Sequence, residues 1–94
     1  MNKRSIGIIG GMGPKADLTF LENIRDKTEA SCDNEHIEAY LFSNTKVPDR
    51  TEAINNGEFN TVLDELLKSV RGLEMMGVSN IVITCNGAHY WLSA

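Results

Sequence analysis

The chain has 94 residues, of which 41% are hydrophobic and 23% are charged, and its formal net charge is -4. This length and composition predict one soluble globular domain over residues 1–94. The negative charge and the scattered basic residues argue against nucleic acid as a partner, and no apolar run approaches the ~20 residues that span a membrane.

The two cysteines, Cys32 and Cys85, are too few for a disulfide framework and lack the spacing of a zinc site. We therefore predict no bound metal. The apolar run from Ile6 to Ile9 is too short for a signal peptide, so we expect a reduced, cytoplasmic protein.

The first predicted elements are a strand, a glycine-rich loop and a helix. Ser5 to Gly10, "SIGIIG", is a continuous apolar run typical of a strand buried on both faces. "GGMGP" follows as a tight loop, and Pro14 suits the first turn of a helix. The spacing of the apolar residues predicts this helix from about Lys15 to Thr28.

The second half is predicted to contain two strands, a long connection and a second helix. A loosely alternating strand covers His36 to Phe42, and the polar segment Ser43 to Glu58 is long enough to be a functional or mobile loop. "NIVIT", ending at Thr84, is the third strand. Between the connection and this strand lies a strongly amphipathic helix that Gly77 ends as a left-handed cap; its apolar positions are Phe59, Val62, Leu63, Leu66, Leu67, Val70, Leu73 and Met76.

The predicted order β-α-β-α-β indicates an α/β fold, with a parallel sheet inside a three-layer α/β/α arrangement. In such sheets, ligands bind beyond the carboxyl ends of the strands. Three segments are expected there: Gly10 to Pro14, Ser43 to Thr51, and Cys85 to His89.

The glycine-rich loop has three possible roles. Gly11-x-Gly13-x-x-Ala16 loosely matches a dinucleotide-binding fingerprint, with Glu35 or Glu38 near the position of a ribose-binding acid. This match is weak, and the loop is better explained as a tight turn alone or as a cradle for a small anion or carboxylate.

Arg50 and Cys85 are the other candidate site residues. Arg50, in "VPDRT", could bind a carboxylate in bidentate fashion, or it could pair with Asp49 or face solvent. Cys85 follows a buried strand and precedes a predicted helix start with Asn86 as N-cap. A thiol at that position has a lowered pKa, although an isolated buried cysteine is often only a packing residue. Cys32 is predicted at the opposite end of the sheet.

Together, "IGIIGGMGP", "VPDRT" and "CNGAHYW" resemble the aspartate/glutamate racemase family, in its order and at about its spacing. The resemblance implies a two-domain isomerase that needs neither pyridoxal phosphate nor metal and has no cofactor. The resemblance further implies that this isomerase uses two thiols, one on each side of the Cα of aspartate or glutamate. It implies that Cys85 is the first catalytic cysteine and that substrate is bound by Arg50, Asn86, Gly87, Gly11, Met12 and Gly13.

Two positions depart from the pattern of the family. Gly87 stands where threonine is usual, and Asp17 stands where a neutral hydroxyl is common. The second domain, with its cysteine, lies outside this sequence, so we interpret the chain as the N-terminal domain of such a racemase and expect a homo-oligomer. Two other functions remain open: a carboxylate-binding module without catalysis, and a half-domain that is stable only with a partner.

Overall fold

The computed structural model describes residues 5–84. Within this range the chain forms three strands, β1 (Ser5–Gly10), β2 (Glu38–Ser43) and β3 (Asn80–Ile83). The helices are α1 (Pro14–Lys27), α2 (Arg50–Asn56) and α3 (Phe59–Met75), and a single 3₁₀ turn covers Asp33–Glu35. No helix in this range is long and apolar enough to cross a membrane.

The strands form one parallel sheet in the order β2-β1-β3, which confirms the predicted α/β fold. β1 pairs with β2 from Ser5 opposite Glu38 to Gly10 opposite Ser43. On its other side, β1 pairs with β3 from Ile6 opposite Asn80 to Ile9 opposite Ile83. A strand between two others is shielded from water, which explains why β1 is the strand with the uninterrupted apolar run.

Helices lie on both faces of the sheet, so the predicted three layers are confirmed. Successive residues of a strand point to opposite faces. A side chain at Gly7 would meet Leu73 of α3, whereas a side chain at Gly10 would meet Asp17 of α1. α2 packs on the same side as α3, since the one buried residue of α2, Ala53, belongs to the same hydrophobic cluster as Leu66.

The hydrophobic core lies between the sheet and α3. Val62, Leu66 and Leu73 are almost fully buried and pack in one cluster with Ile9 of β1. Fully burying an aliphatic side chain of this size stabilises a fold by about 1.5–3 kcal/mol. The amphipathic pattern of α3 is thus largely confirmed, although Leu67 and Met76, also placed on the predicted apolar stripe, are 40% and 55% exposed, and Met76 lies just beyond the end of the helix.

Two serines fasten β1 to β3 at the amino edge of the sheet. The Ser5 N–H donates to Ser79 Oγ, and the Ser79 N–H donates to Ser5 Oγ, each at 3.0 Å. Ser79 Oγ also donates to the Ser5 carbonyl oxygen at 2.7 Å. These bonds fix the register in which β3 leads towards the carboxyl edge.

The predicted long loop from Ser43 to Glu58 was wrong in one respect, because it contains α2. The side chain of Asp49 caps this helix by accepting a hydrogen bond from the Glu52 N–H at 2.9 Å, and Gly57 ends it in the left-handed conformation with φ 74°. The helix has only seven residues and buries only one of them. Hydrophobic periodicity cannot detect so short and polar a helix, whereas the capping residues indicate it.

Candidate functional site

The predicted site residues divide into those that the structure describes and those that it does not. Cys85, Asn86 and Gly87 lie outside the described residues, so their predicted roles stay predictions. The last described residue, Thr84, lies at the carboxyl end of β3, where its N–H donates to the Ile9 carbonyl at 3.3 Å. The carboxyl edge of β3 therefore leads directly into Cys85.

The glycine-rich loop between β1 and α1 has a backbone that only glycine adopts readily. Gly11 has φ 89° and Gly13 has φ 115°, both in the left-handed region. The loop also lies directly against the segment after β2, because a side chain at Gly11 would collide with the backbone of Asn44. This contact fixes the loop beside the chain that continues to Arg50.

The loop leaves two backbone donors without a partner among the described residues. Gly11 N–H donates to Asp17 at 2.8 Å, and the Gly13 carbonyl accepts from Ala16 at 2.9 Å. The N–H groups of Met12 and Gly13 have no hydrogen bond within residues 5–84. Consecutive free N–H groups at the start of a helix favour an anion, because their dipoles and the helix dipole add.

The side chain of Met12 packs in the hydrophobic core. It is only 6% exposed and packs in the cluster that contains Val47 and Ala53. The predicted substrate contact of Met12 could therefore be made only by its backbone N–H.

Arg50 is half-buried and is the first residue of α2. In the sequence it lies between Val47 and Ala53, which both belong to the hydrophobic cluster that contains Met12. Its Nη1 donates to the Pro48 carbonyl at 3.2 Å, while its Nε is buried and has no partner among the described residues. The alternative of an ion pair with Asp49 is not found, since within residues 5–84 the only ion pair joins Arg25 to Asp26. An unsatisfied buried donor costs about 1–3 kcal/mol, which a ligand oxygen at Nε would offset.

Asn44 connects the carboxyl edge to α3. Its side chain is 4% exposed. The amide nitrogen donates to Glu65 Oε1 at 3.0 Å and to Ser69 Oγ at 3.1 Å, and its oxygen accepts from the Lys46 N–H at 3.1 Å. The segment that leads to Arg50 is therefore anchored to α3 at Asn44.

Asp17 lies at the centre of the carboxyl edge. It is the buried residue of α1, at 1% exposure. Oδ2 accepts hydrogen bonds from the Gly11 N–H at 2.8 Å and from Ser43 Oγ at 3.0 Å, and Oδ1 accepts from Thr84 Oγ1 at 2.9 Å. One carboxylate thus bonds to residues at the ends of all three strands.

The dinucleotide interpretation is not supported. Glu35 lies in the 3₁₀ turn and Glu38 is the first residue of β2, so both are at the amino edge of the sheet. The glycine-rich loop is at the carboxyl edge, where the ribose-binding acid would also have to be. Cys32 precedes the same 3₁₀ turn and is exposed, so it lies at the edge opposite Thr84, as predicted.

A groove of about 460 Å³ opens between Thr84 and the first three turns of α1. Its other lining residues are Lys15, Ala16, Thr19, Phe20 and Asn23. Within residues 5–84 no cluster of three or more histidine, cysteine or acidic residues could hold a metal ion.

Sequence reasoning missed the two buried polar residues that organise this edge, Asp17 and Asn44. The departure of Asp17 from the family pattern was the available signal for the first. For Asn44 the signal was weaker: a polar residue directly after a strand is common, and only the fold brings Ser69 of α3 to it.

Comparison with known proteins identifies related sequences and a related structure. The family model described as Asp/Glu/hydantoin racemase matches residues 9–94. Among solved structures, the aspartate racemase of Picrophilus torridus is similar to this chain with a TM-score of 0.86 at 34% sequence identity. The match covers 96% of this chain and 38% of that chain, so this chain spans well under half the length of that racemase.

Proposed function

Because the chain belongs to the Asp/Glu/hydantoin racemase family, we propose that it supplies one half of a cofactor-independent amino-acid racemase site for aspartate or glutamate. The observation that carries the proposal is a set of donors at the carboxyl edge that have no partner within residues 5–84: the N–H groups of Met12 and Gly13 and the buried Nε of Arg50. A small carboxylate has the charge and the acceptor atoms that these donors need.

In the proposed mechanism, the thiolate of Cys85 removes the proton from Cα of the bound amino acid. This proton is weakly acidic because the product carbanion lies beside a carboxylate. Arg50 and the loop N–H groups bind that carboxylate, so they also reduce the repulsion as negative charge develops. A second thiol, from another domain or another copy of the chain, returns a proton to the opposite side of Cα.

Arg50→Lys is expected to weaken the binding of aspartate or glutamate by about 1–3 kcal/mol, because lysine has no Nε–H at the buried position and cannot bind a carboxylate in bidentate fashion. Titration calorimetry measures the change. Arg71→Lys is the matched control, since Arg71 is exposed on α3. Equal affinity of the Arg50 variant and the control would contradict the proposed role of Arg50.

Cys85 is expected to be alkylated faster than Cys32 and to have a pKa below the value of about 8.5 for a free thiol, because the sequence predicts a helix start there and a helix N-terminus stabilises a thiolate. Alkylation rates of both cysteines, measured by mass spectrometry over a range of pH, provide the comparison within one molecule. Cys32 is the exposed reference. If Cys85 reacts no faster than Cys32, its interpretation as a packing residue is favoured.

A carboxylate-binding module without catalysis remains the second candidate, since the chain spans 38% of the solved relative. Exchange of the Cα proton of aspartate or glutamate in deuterated water distinguishes the two. Binding with no exchange, even when the second thiol is supplied, would favour the module. The predicted cytoplasmic location and the homo-oligomeric state remain predictions.

A further inference from the structure

A buried carboxylate is an unusual residue for the side of a helix that faces a sheet. Removing a charge from water is costly unless hydrogen bonds replace the lost hydration. Asp17 meets this condition with donors from Gly11, Ser43 and Thr84. Gly10 makes the arrangement possible, because any side chain there would occupy the position of the Asp17 carboxylate.

The number of donors explains why a carboxylate is suited to this position. The two oxygens of a carboxylate offer about four acceptor sites, whereas a hydroxyl offers two and carries a hydrogen of its own. A shorter hydroxyl side chain could not bond at once to the loop after β1, the end of β2 and the residue after β3. These bonds set the separation between the glycine-rich loop and Thr84.

We propose that Asp17 is a positioning residue, which holds the glycine-rich loop and Thr84 in fixed relation and thereby sets, relative to the loop N–H groups, the point from which the chain continues to Cys85. The role assigned to Cys85 rests on the proposed function. Asp17 does not act as a base itself, because its carboxylate is 1% exposed and is occupied by donors from the protein.

Four variants separate positioning from general stability. Asp17→Ala removes the acceptors, and Thr84→Val removes only the hydroxyl that bonds to Oδ1. Asp17→Asn keeps an oxygen for Gly11 and Ser43, and its amide group can donate to the Thr84 hydroxyl. Thr28→Val is the matched control for Thr84→Val: Thr28 is also half-buried, but its hydroxyl donates to the Ile24 carbonyl at the opposite end of α1 from Asp17.

The first measurement is the alkylation rate of Cys85 divided by that of Cys32 in the same folded molecule. We expect this ratio to fall by about tenfold in Asp17→Ala, which removes the acceptor of three hydrogen bonds, and by several-fold in Thr84→Val, which removes one of them. Asp17→Asn should retain most of the ratio, and Thr28→Val should leave it unchanged.

The second measurement is amide hydrogen exchange at Gly11 and Thr84, which does not depend on the chemistry of Cys85. Exchange there should accelerate by about tenfold in Asp17→Ala, with no such change in Thr28→Val. If Asp17→Ala unfolds the chain, Thr84→Val provides the same comparison.

Two results overturn the proposal: an unchanged ratio in both Asp17→Ala and Thr84→Val, or an equal fall in Thr28→Val. If Cys85 has no rate advantage over Cys32 even in the unaltered chain, the proposed catalytic role of Cys85 fails instead. In that case the amide exchange rates alone test whether Asp17 holds the strand ends together. Unaltered exchange at Gly11 and Thr84 in Asp17→Ala would show that it does not.

Discussion

Gly11→Ala is expected to lower the free energy of unfolding by about 2–5 kcal/mol, enough to unfold a marginally stable domain. Two physical effects add. Gly11 has φ 89°, a conformation that is costly for any residue with a side chain. The new methyl group would also collide with the backbone of Asn44, which cannot move aside because the Asn44 side chain is anchored to Ser69 and Glu65.

Gly57→Ala is the control for this prediction. Gly57 also has a positive φ, 74°, but a side chain there would have no neighbour within 4 Å. Its substitution should cost only the conformational term, about 1 kcal/mol. Urea unfolding of both variants measures the difference, and equal destabilisation would show that the contact with Asn44 contributes nothing.

A preparation of this chain that is monomeric in solution is expected not to racemise aspartate or glutamate. Inversion at Cα requires a base on one side and an acid on the other. In the proposed mechanism Cys85 supplies one of them, and Cys32 lies at the opposite edge of the sheet. The monomer should at most exchange the Cα proton for deuterium with retention of configuration. Loss of one member of an acid–base pair typically costs 10²–10⁴-fold in rate.

Chiral chromatography of the amino acid, with the mass of the protein measured in the same buffer, provides the test. If paired copies of the chain complete the site, Cys85→Ser should abolish racemisation and Cys32→Ser should leave it unchanged. Mixing Cys85→Ser with the unaltered chain should lower the activity as mixed pairs form. Clear racemisation by a proven monomer would refute the requirement for two thiols.

The elements with strong local patterns could be predicted from the sequence. The apolar run of β1 predicts a strand buried on both faces, and the spacing of Val62, Leu66 and Leu73 predicts α3. Both patterns follow from the period of the element itself, so no knowledge of neighbours is needed. α2 was missed because its seven residues bury only Ala53, which leaves no period to detect.

The candidate site could be predicted only in outline. Because the carboxyl ends of parallel strands share one edge, the α/β order alone predicts that the glycine-rich loop and the segment around Arg50 lie at the same edge as Thr84. The order of the elements does not predict which hydrogen-bond donors of the loop and of Arg50 lack a partner within the described residues. That Gly11 N–H is occupied by Asp17, while Arg50 Nε is buried without a partner among the described residues, depends on packing between distant segments.

Local sequence thus set the kinds of elements in this protein, their order and the edge at which a ligand would bind, because periodicity, capping residues and glycine act over a few neighbouring positions. Tertiary structure set the roles of the buried polar side chains. In the sequence, Asp17 is a charged residue on a helix; in the fold it accepts hydrogen bonds from residues 6, 26 and 67 positions away. Such a bond exists only after the sheet has formed, so no local pattern encodes it.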